Sequence, residues 1–422
     1  MKKYFIYLLL LTFSMLGTDL TDFSLAIWVL DQPNSNISSY SLIWFFEAIP
    51  KVILALVIGS LVDRWNKKKM IIYGQLLAGI GSIILMVLKL QDILLPWHIM
   101  AVAGIGSVAN MFVYSAFFVS TRALVSKDNL MKAMGLSTLM YSIVEIGVPV
   151  AAPVFYKAIG IHSILFFDII TFIVSIIFFS FLNFTVHIKS NDKFSIVKDL
   201  KLTIAFIREK KGLISLIIFS FLGSFALGLV EILFTPLILD FSDEYILGLI
   251  LSFIGLGSFI GSIIMSNSKG FKKPIKSIVS LNIIIGLILI ILMFKFNLYI
   301  LAIGGFVVVL CFTIEGISNS AFYQTIIPED MLGRIYGIMG LLIGIAGPMS
   351  FLLSGIMVDS LSTFFNSSMT FKSNLPGTNT TISILVIFLF SGIFLASIAL
   401  IFRRSTAVQK LDKLYKINLD TN

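Results

Sequence analysis

Eight ionisable side chains lie inside long apolar runs: Asp19, Asp22, Glu47, Lys51, Glu145, Asp168, Glu231 and Glu315. A charge at the centre of a membrane helix costs about 2.5–3.5 kcal/mol on insertion scales, so such groups face a bundle interior or water and are functional by default. Asp19 and Asp22 are three residues apart and share a helix face, whereas Glu47 and Lys51 are four apart and can pair. A carboxyl group held among apolar walls can take a proton and a cationic ligand alternately. By depth within their runs, Asp19, Lys51, Glu145 and Glu315 are the innermost. Asp168 is about 9 Å along a helix from His162 and is placed near the outer interface, with Asp22 also towards that end.

Other chemistries are poorly supplied. The single cysteine, Cys311, excludes an internal disulfide and a cysteine-based zinc site. The three histidines, His98, His162 and His187, are too scattered for a metal centre. There is no G-x-x-x-x-G-K-[ST] phosphate loop, and no D-D-x-x-D acid pair of the kind a lipid-modifying transferase would carry. The expectation is a protein with no enzymatic activity, no cofactor and no metal.

The elements that must position the acids are membrane helices. Of the 422 residues, 58% are apolar and 13% charged, against about 25% charged in soluble domains. Mean hydropathy is +1.02. One soluble core could not hide this much apolar surface. A crossing needs about 20 helical residues, and twelve such segments are present: 4–30, 40–62, 70–90, 94–119, 132–156, 162–185, 213–240, 245–266, 275–294, 299–325, 335–359 and 381–402. Spans 3 and 4 are divided by Gln91-Asp92, with Pro96 and Trp97 as helix start and interface anchor. The N-terminus reads as the first span and not as a cleaved leader, because the apolar run continues to Leu30 with no A-x-A site.

Orientation follows from lysine and arginine, which concentrate in cytoplasmic loops. With the N-terminus inside, 26 of the 31 basic residues face the cytoplasm and only Lys89, Lys157, Lys295 and Lys372 face outward, Lys51 lying within a span. Both termini are therefore expected in the cytoplasm. The net charge of +9 then reflects topology, and nucleic acid is not an expected partner.

The chain divides into a six-helix half at 1–185, a cytoplasmic linker at 186–212, a second six-helix half at 213–402 and a cytoplasmic tail at 403–422. In the linker Ile196, Leu200, Ile204 and Ile207 recur at helical spacing, which suggests an amphipathic surface helix. The halves echo each other. Ile58-Gly59-Ser60 matches Ile260-Gly261-Ser262, Ser115-Ala116-Phe117-Phe118 matches Ser320-Ala321-Phe322-Tyr323, and Gly147-Val148-Pro149 matches Gly347-Pro348. Three matches in the same order and in equivalent spans argue for an internal parallel repeat.

The stretch from Gly59 through Asp63, Arg64 and Asn66 to Lys67 and Lys68 resembles the G-x-x-x-D-R-x-G-R/K-R/K signature of the major facilitator superfamily. Asn66 stands where the family usually has glycine, and asparagine tolerates left-handed backbone well enough for the turn to survive. Gly17 to Trp28, Pro328 to Arg334 and Gly347-Pro348 resemble the macrolide-efflux branch. The resemblance implies an all-α fold of twelve transmembrane helices in two halves, with spans 1, 4, 7 and 10 lining a central cavity. On that basis Asp19, Asp22, Glu231 and Glu315 become cavity candidates, with Glu47, Lys51 and Glu145 beside them. Asp63 is expected to face the N-terminus of span 11 near Arg334 as a cytoplasmic gate, with Gly59, Arg64, Lys67 and Lys68 around it. Gly147, Pro149, Gly347 and Pro348 are expected to let spans 5 and 11 bend. Two departures stand out: Gly106 occupies the place of the family's span-4 arginine, and the loop after span 8 has no counterpart of Asp63.

The reading is a secondary active transporter in the plasma membrane of a bacterium. It would act as a monomer and export small amphipathic molecules by proton antiport, its partners being substrate, protons and lipid. The same fold run as a proton-coupled importer is the alternative. A membrane enzyme would need catalytic acid or histidine clusters, and a sensor would need a soluble signalling domain; no loop here exceeds about 30 residues.

Overall fold

A computed structural model describes residues 2–33, 35–126, 129–181, 211–268, 271, 273–294, 297–327, 339–367 and 378–405. The helices are α1 (Lys2–Leu30), α2 (Ile37–Arg64), α3 (Lys67–Leu90), α4 (Pro96–Leu124), α5 (Leu130–Phe181), α6 (Lys211–Leu239), α7 (Glu244–Ser266), α8 (Pro274–Phe294), α9 (Leu298–Ile326), α10 (Ala346–Ser367) and α11 (Asn379–Arg404).

The α5 element runs for 52 residues. A straight helix of that length would measure about 78 Å, far more than a bilayer core of about 30 Å. It is not straight. Gly160 sits at φ 72° and ψ 166°, outside the helical region. Ala133 and Phe179, near opposite ends of the element, both reach the start of α1: Tyr4 donates its hydroxyl to the Ala133 carbonyl at 2.9 Å, and the Tyr7 and Phe179 rings lie 5.5 Å apart. The chain therefore doubles back at Gly160 into two arms, 130–159 and 161–181, which are the expected spans 5 and 6. With these counted as two, the described residues supply twelve crossings.

Local signals start and stop the helices where the sequence places them. Asn36 caps α2 by accepting the Ser39 amide at 2.7 Å. Pro96 opens α4, and His98 Nδ1 accepts the Leu95 amide at 3.0 Å. Asp92 turns the chain between α3 and α4 at φ 54°, a left-handed conformation that aspartate tolerates.

The chain separates into two compact units, residues 1–194 with 244–249, and residues 195–243 with 250–422. The first is built on α1, which packs along α5. Its core gathers Tyr4, Tyr7, Leu8, Leu11, Val113, Phe117 and Phe179, with Tyr4 stacked on Phe117 at 5.7 Å. The second is centred on α8, α9 and α11, where Leu216, Phe219, Ile278, Phe322 and Phe402 share a core. Gly286 of α8 and Gly392 of α11 face each other so closely that a Cβ on either would stand 2.6 Å from the other's carbonyl oxygen. Outward-facing apolar side chains are abundant in both units, as expected for surfaces solvated by lipid.

Candidate functional site

In the first unit the charged residues of α1 and α2 come together as one electrostatic group. Lys51 Nζ bonds Glu47 Oε1 at 2.6 Å across one helical turn. Asp19 interacts with the charges of Glu47, Lys51 and Glu145, and Asp22 with those of Glu47, Asp19, Asp168 and Lys51. Both aspartates are half-buried on one face of α1. Tyr114 of α4 also feels Asp19, Asp22 and Glu47, and its ring lies 6.0 Å from that of Tyr141. Neither tyrosine stood out in the sequence.

Depth along a span and exposure prove to be separate matters. Glu145 is exposed, yet its charge acts on Asp19. Lys51, expected deep, keeps 48% of its side chain exposed and is neutralised by Glu47. Asp168, expected at the outer interface, is 1% exposed. It lies where α1, α3 and the second arm of α5 meet, accepting the Ser82 hydroxyl at 2.6 Å with Thr18 Oγ1 at 3.5 Å. A Cβ on Gly17 would stand 2.9 Å from its Oδ1, so only glycine lets α1 approach this closely.

The second unit holds two cavities that share Leu227 and Phe312 in their walls. One, about 260 Å³, carries the polar side chains Ser220, Ser224, Asn282, Glu315, Asn319 and Ser320 in a wall completed by apolar residues such as Leu227, Phe312 and Ile343. Glu315 is 8% exposed, and its Oε2 has no hydrogen-bond partner among the described residues; Asn319 Oδ1 and Ser220 Oγ are likewise unmatched. The other, about 240 Å³, is walled by Val230, Phe234, Leu251, Ile254, Val308 and Val309, with Glu231 as its charged member. Buried polar atoms are normally satisfied, so three unmatched ones at the polar cavity mark a place for a ligand or water. Together the two cavities offer an apolar berth next to hydrogen-bond acceptors. Sequence reasoning had Glu231 and Glu315 but not Asn282 or Asn319, which are neutral and lack a charge signal.

At the loop signature, Asn66 has φ −70° and ψ 112° and caps α3 by accepting the Lys69 amide at 3.1 Å. It therefore serves as an N-cap and not as a left-handed turn residue; asparagine is among the best N-caps. Lys67 is buried at 2% exposure, and Lys68 Nζ reaches the Ser180 carbonyl at 2.7 Å. Gly59, Asp63 and Arg64 belong to the backbone of α2, but their side chains lie outside the described residues. So do Arg334 and the proposed linker helix. The backbone stays helical through Gly147, Pro149 and Pro153, the non-helical residue of α5 being Gly160. In span 11 the helix is interrupted at Ile345, just before Gly347 and Pro348: Ile345 keeps its bonds to Leu341 and Met349 at 3.2 Å each, and the ladder lacks only the bond that Pro348, with no N–H, cannot return to the Gly344 carbonyl. A Cβ on Gly106 would meet nothing within 4 Å, so the place of the family's arginine is open space. Among the described residues no three His, Cys, Asp or Glu side chains are grouped to hold a metal.

Comparisons with known proteins agree with this architecture. The sequence pattern of the Major Facilitator Superfamily matches residues 7–351. The chain is 23% identical over 347 residues to macrolide efflux protein A of Streptococcus pyogenes, covering 79% of this chain and 84% of that one. It is 24% identical over 327 residues to macrolide efflux protein A of Enterococcus faecalis, covering 75% of this chain and 98% of that one. In fold it resembles the nucleoside transporter NupG, with a TM-score of 0.73 at 15% identity over 95% of this chain and 98% of that one. It also resembles a protein from work on proton-dependent oligopeptide transporters, with a TM-score of 0.67 at 14% identity over 98% and 99%.

Proposed function

The chain belongs to the Major Facilitator Superfamily, and from that premise we propose that this multi-pass transporter exports small amphipathic molecules by alternating access, in exchange for protons. The carrying observation is the pair of abutting cavities in the second unit, where an apolar berth adjoins the unmatched carboxylate oxygen of Glu315. An amphipathic molecule with an amine or other donor has complementary chemistry for both. The names of the relatives from Streptococcus and Enterococcus support export and a macrolide-like substrate. Moving one charge through about 100 mV yields about 2.3 kcal/mol, enough to sustain a gradient of roughly 50-fold.

The test uses everted membrane vesicles and radiolabelled erythromycin as the probe. Energised vesicles, acid inside, are expected to accumulate it, and a protonophore should collapse the accumulation. Accumulation by intact cells and not by everted vesicles would replace export with import. Orientation is tested separately: reporters fused at Ser190 and at the C-terminus should both report cytoplasm, and an external signal from either would refute the proposed topology.

A further inference from the structure

We propose that Asp168 is a proton-carrying residue of the transport cycle, held where α1, α3 and the second arm of α5 meet and coupled through its charge to Asp19 and Asp22. This deepens the proton-antiport reading by naming a carrier outside the cavities.

The argument begins with the partners of the carboxyl group. Asp168 is 1% exposed, yet among the described residues it has no lysine, arginine or histidine within ion-pair distance. Its side-chain oxygens meet hydroxyls alone: Ser82 Oγ at 2.6 Å from Oδ2 and Thr18 Oγ1 at 3.5 Å from Oδ1. A third hydroxyl, Thr171, bonds the Asp168 backbone carbonyl at 2.7 Å and also lies within hydrogen-bonding reach of the carboxyl group. A buried carboxylate without a counter-cation is strongly disfavoured. Hydroxyl partners suit both protonation states, because they donate to a carboxylate and accept from a carboxylic acid. The site can therefore gain or lose a proton without being rebuilt.

Further buried polar groups lie along α1 and α3 nearby. Thr18 Oγ1 lies 3.1 Å from the Ser14 carbonyl, and Ser14 Oγ bonds Gln75 Oε1 at 2.7 Å. The charged and titratable neighbours from each packed element are few. On α1 they are Asp19, which acts on Asp168, and Asp22, on which Asp168 acts. On α2, Glu47 and Lys51 act on Asp22. Between Lys69 and Lys89 of α3 the only ionisable side chain is Tyr73, and on the second arm of α5 it is His162. A proton arriving at or leaving Asp168 thus changes the field felt by Asp19 and Asp22.

The experiment has two arms on full-length protein in phosphatidylglycerol-containing liposomes. In the first, infrared spectra recorded without substrate follow the carboxylic acid C=O stretch across pH. A buried band that titrates is expected in the wild type and should be absent in Asp168→Asn. In Ser82→Ala it should persist with its midpoint moved by about one pH unit, tenfold in proton affinity. A titrating band unchanged in both variants would overturn the proposal. In the second arm, Asp168→Asn should lose at least tenfold of pH-driven erythromycin uptake while erythromycin exchange stays within twofold. Equal loss of both activities would assign Asp168 a purely structural role and overturn the proposal. If Asp168→Asn does not fold, the Ser82→Ala midpoint decides. If the wild type moves no erythromycin, the substrate reading fails and the infrared arm still judges Asp168.

Discussion

Lys68 Nζ donates to the backbone carbonyl oxygen of Ser180 at 2.7 Å, tying the start of α3 to the end of the second arm of α5. Carbonyls in the last turn of a helix lack intrahelical partners, and a cation there also opposes the macrodipole. A lysine of the loop signature thus has a local structural task besides its charge. Lys68→Met should lower stability by about 0.3–1 kcal/mol, seen as earlier thermal unfolding in detergent, while Lys68→Arg should recover most of it. Identical melting of all three proteins would refute the capping role.

Gly160 offers a sharper test. Its combination of φ 72° and ψ 166° is essentially reserved for glycine, so Gly160→Ala should cost about 1–3 kcal/mol. Gly160→Asn should do no better, since asparagine tolerates the left-handed helical region and not this one. Gly106→Ala serves as control: it is helical and a Cβ there meets nothing within 4 Å, so it should be neutral or stabilise by up to about 1 kcal/mol. Thermal inactivation rates would rank the three.

Glu315→Gln keeps the shape of the polar cavity and removes its charge. Under the proposed antiport, erythromycin accumulation in everted vesicles should fall at least tenfold, whereas Glu231→Gln in the apolar cavity should mainly weaken binding. Accumulation by Glu315→Gln at the wild-type level would remove this residue from the coupling machinery.

Asp63→Asn tests the gate that the loop signature suggests. A carboxylate against a helix N-terminus is worth about 0.3–1 kcal/mol, so the outward-facing population should shrink about two- to fivefold. Cysteine labelling of externally accessible positions would read the change. Unaltered labelling together with unaltered transport would dismiss the gate.

Asp31, just past the end of α1, supplies a pH prediction. Partial burial raises its pKa above the usual carboxylate value, the Tyr156 hydroxyl at 2.7 Å opposes that rise, and the charge of Glu244 adds to it. An acid that holds its proton more tightly in the folded state contributes stability that is complete below the unfolded pKa, about 3.9. That contribution is lost as pH rises through the folded value. Asp31→Asn does not titrate there, so its melting temperature should gain on the wild type between about pH 4 and neutrality. Parallel curves across that range would contradict the assignment.

How much of this was legible in the sequence follows a physical division. Crossing a bilayer requires long apolar runs, and these expose the twelve spans, including the division of spans 5 and 6 that the structure makes at Gly160. Spacing along one helix was equally readable, as the Glu47–Lys51 pair shows. What the runs do not encode is which face meets which neighbour. Asp168 was placed by its distance from a helix end, but its environment is set by Ser82 and Gly17 on two other helices. Glu145 is central along its run, and that position does not tell that its side chain is exposed. Asn66 was read through a family pattern as a tolerated turn residue, although its capping chemistry was present in the residue type. Asn282 and Asn319 carry no charge, so an apolar run hides them.

The reciprocal notch of Gly286 and Gly392 has a mechanical consequence. Each backbone fills the space that the other's missing side chain leaves. On the same face of α8, Leu289 and Ile290 already stand 3.0 Å from where a Cβ on Gly392 would be, so sliding α8 along α11 would drive one of these branched side chains into a gap that admits only hydrogen. The two helices are thereby keyed like a tenon in a mortise and should travel as one stiff beam. Bending within this unit must then concentrate elsewhere, and the helix around Gly344 and Pro348, one backbone bond short, is the compliant joint suited to absorb it.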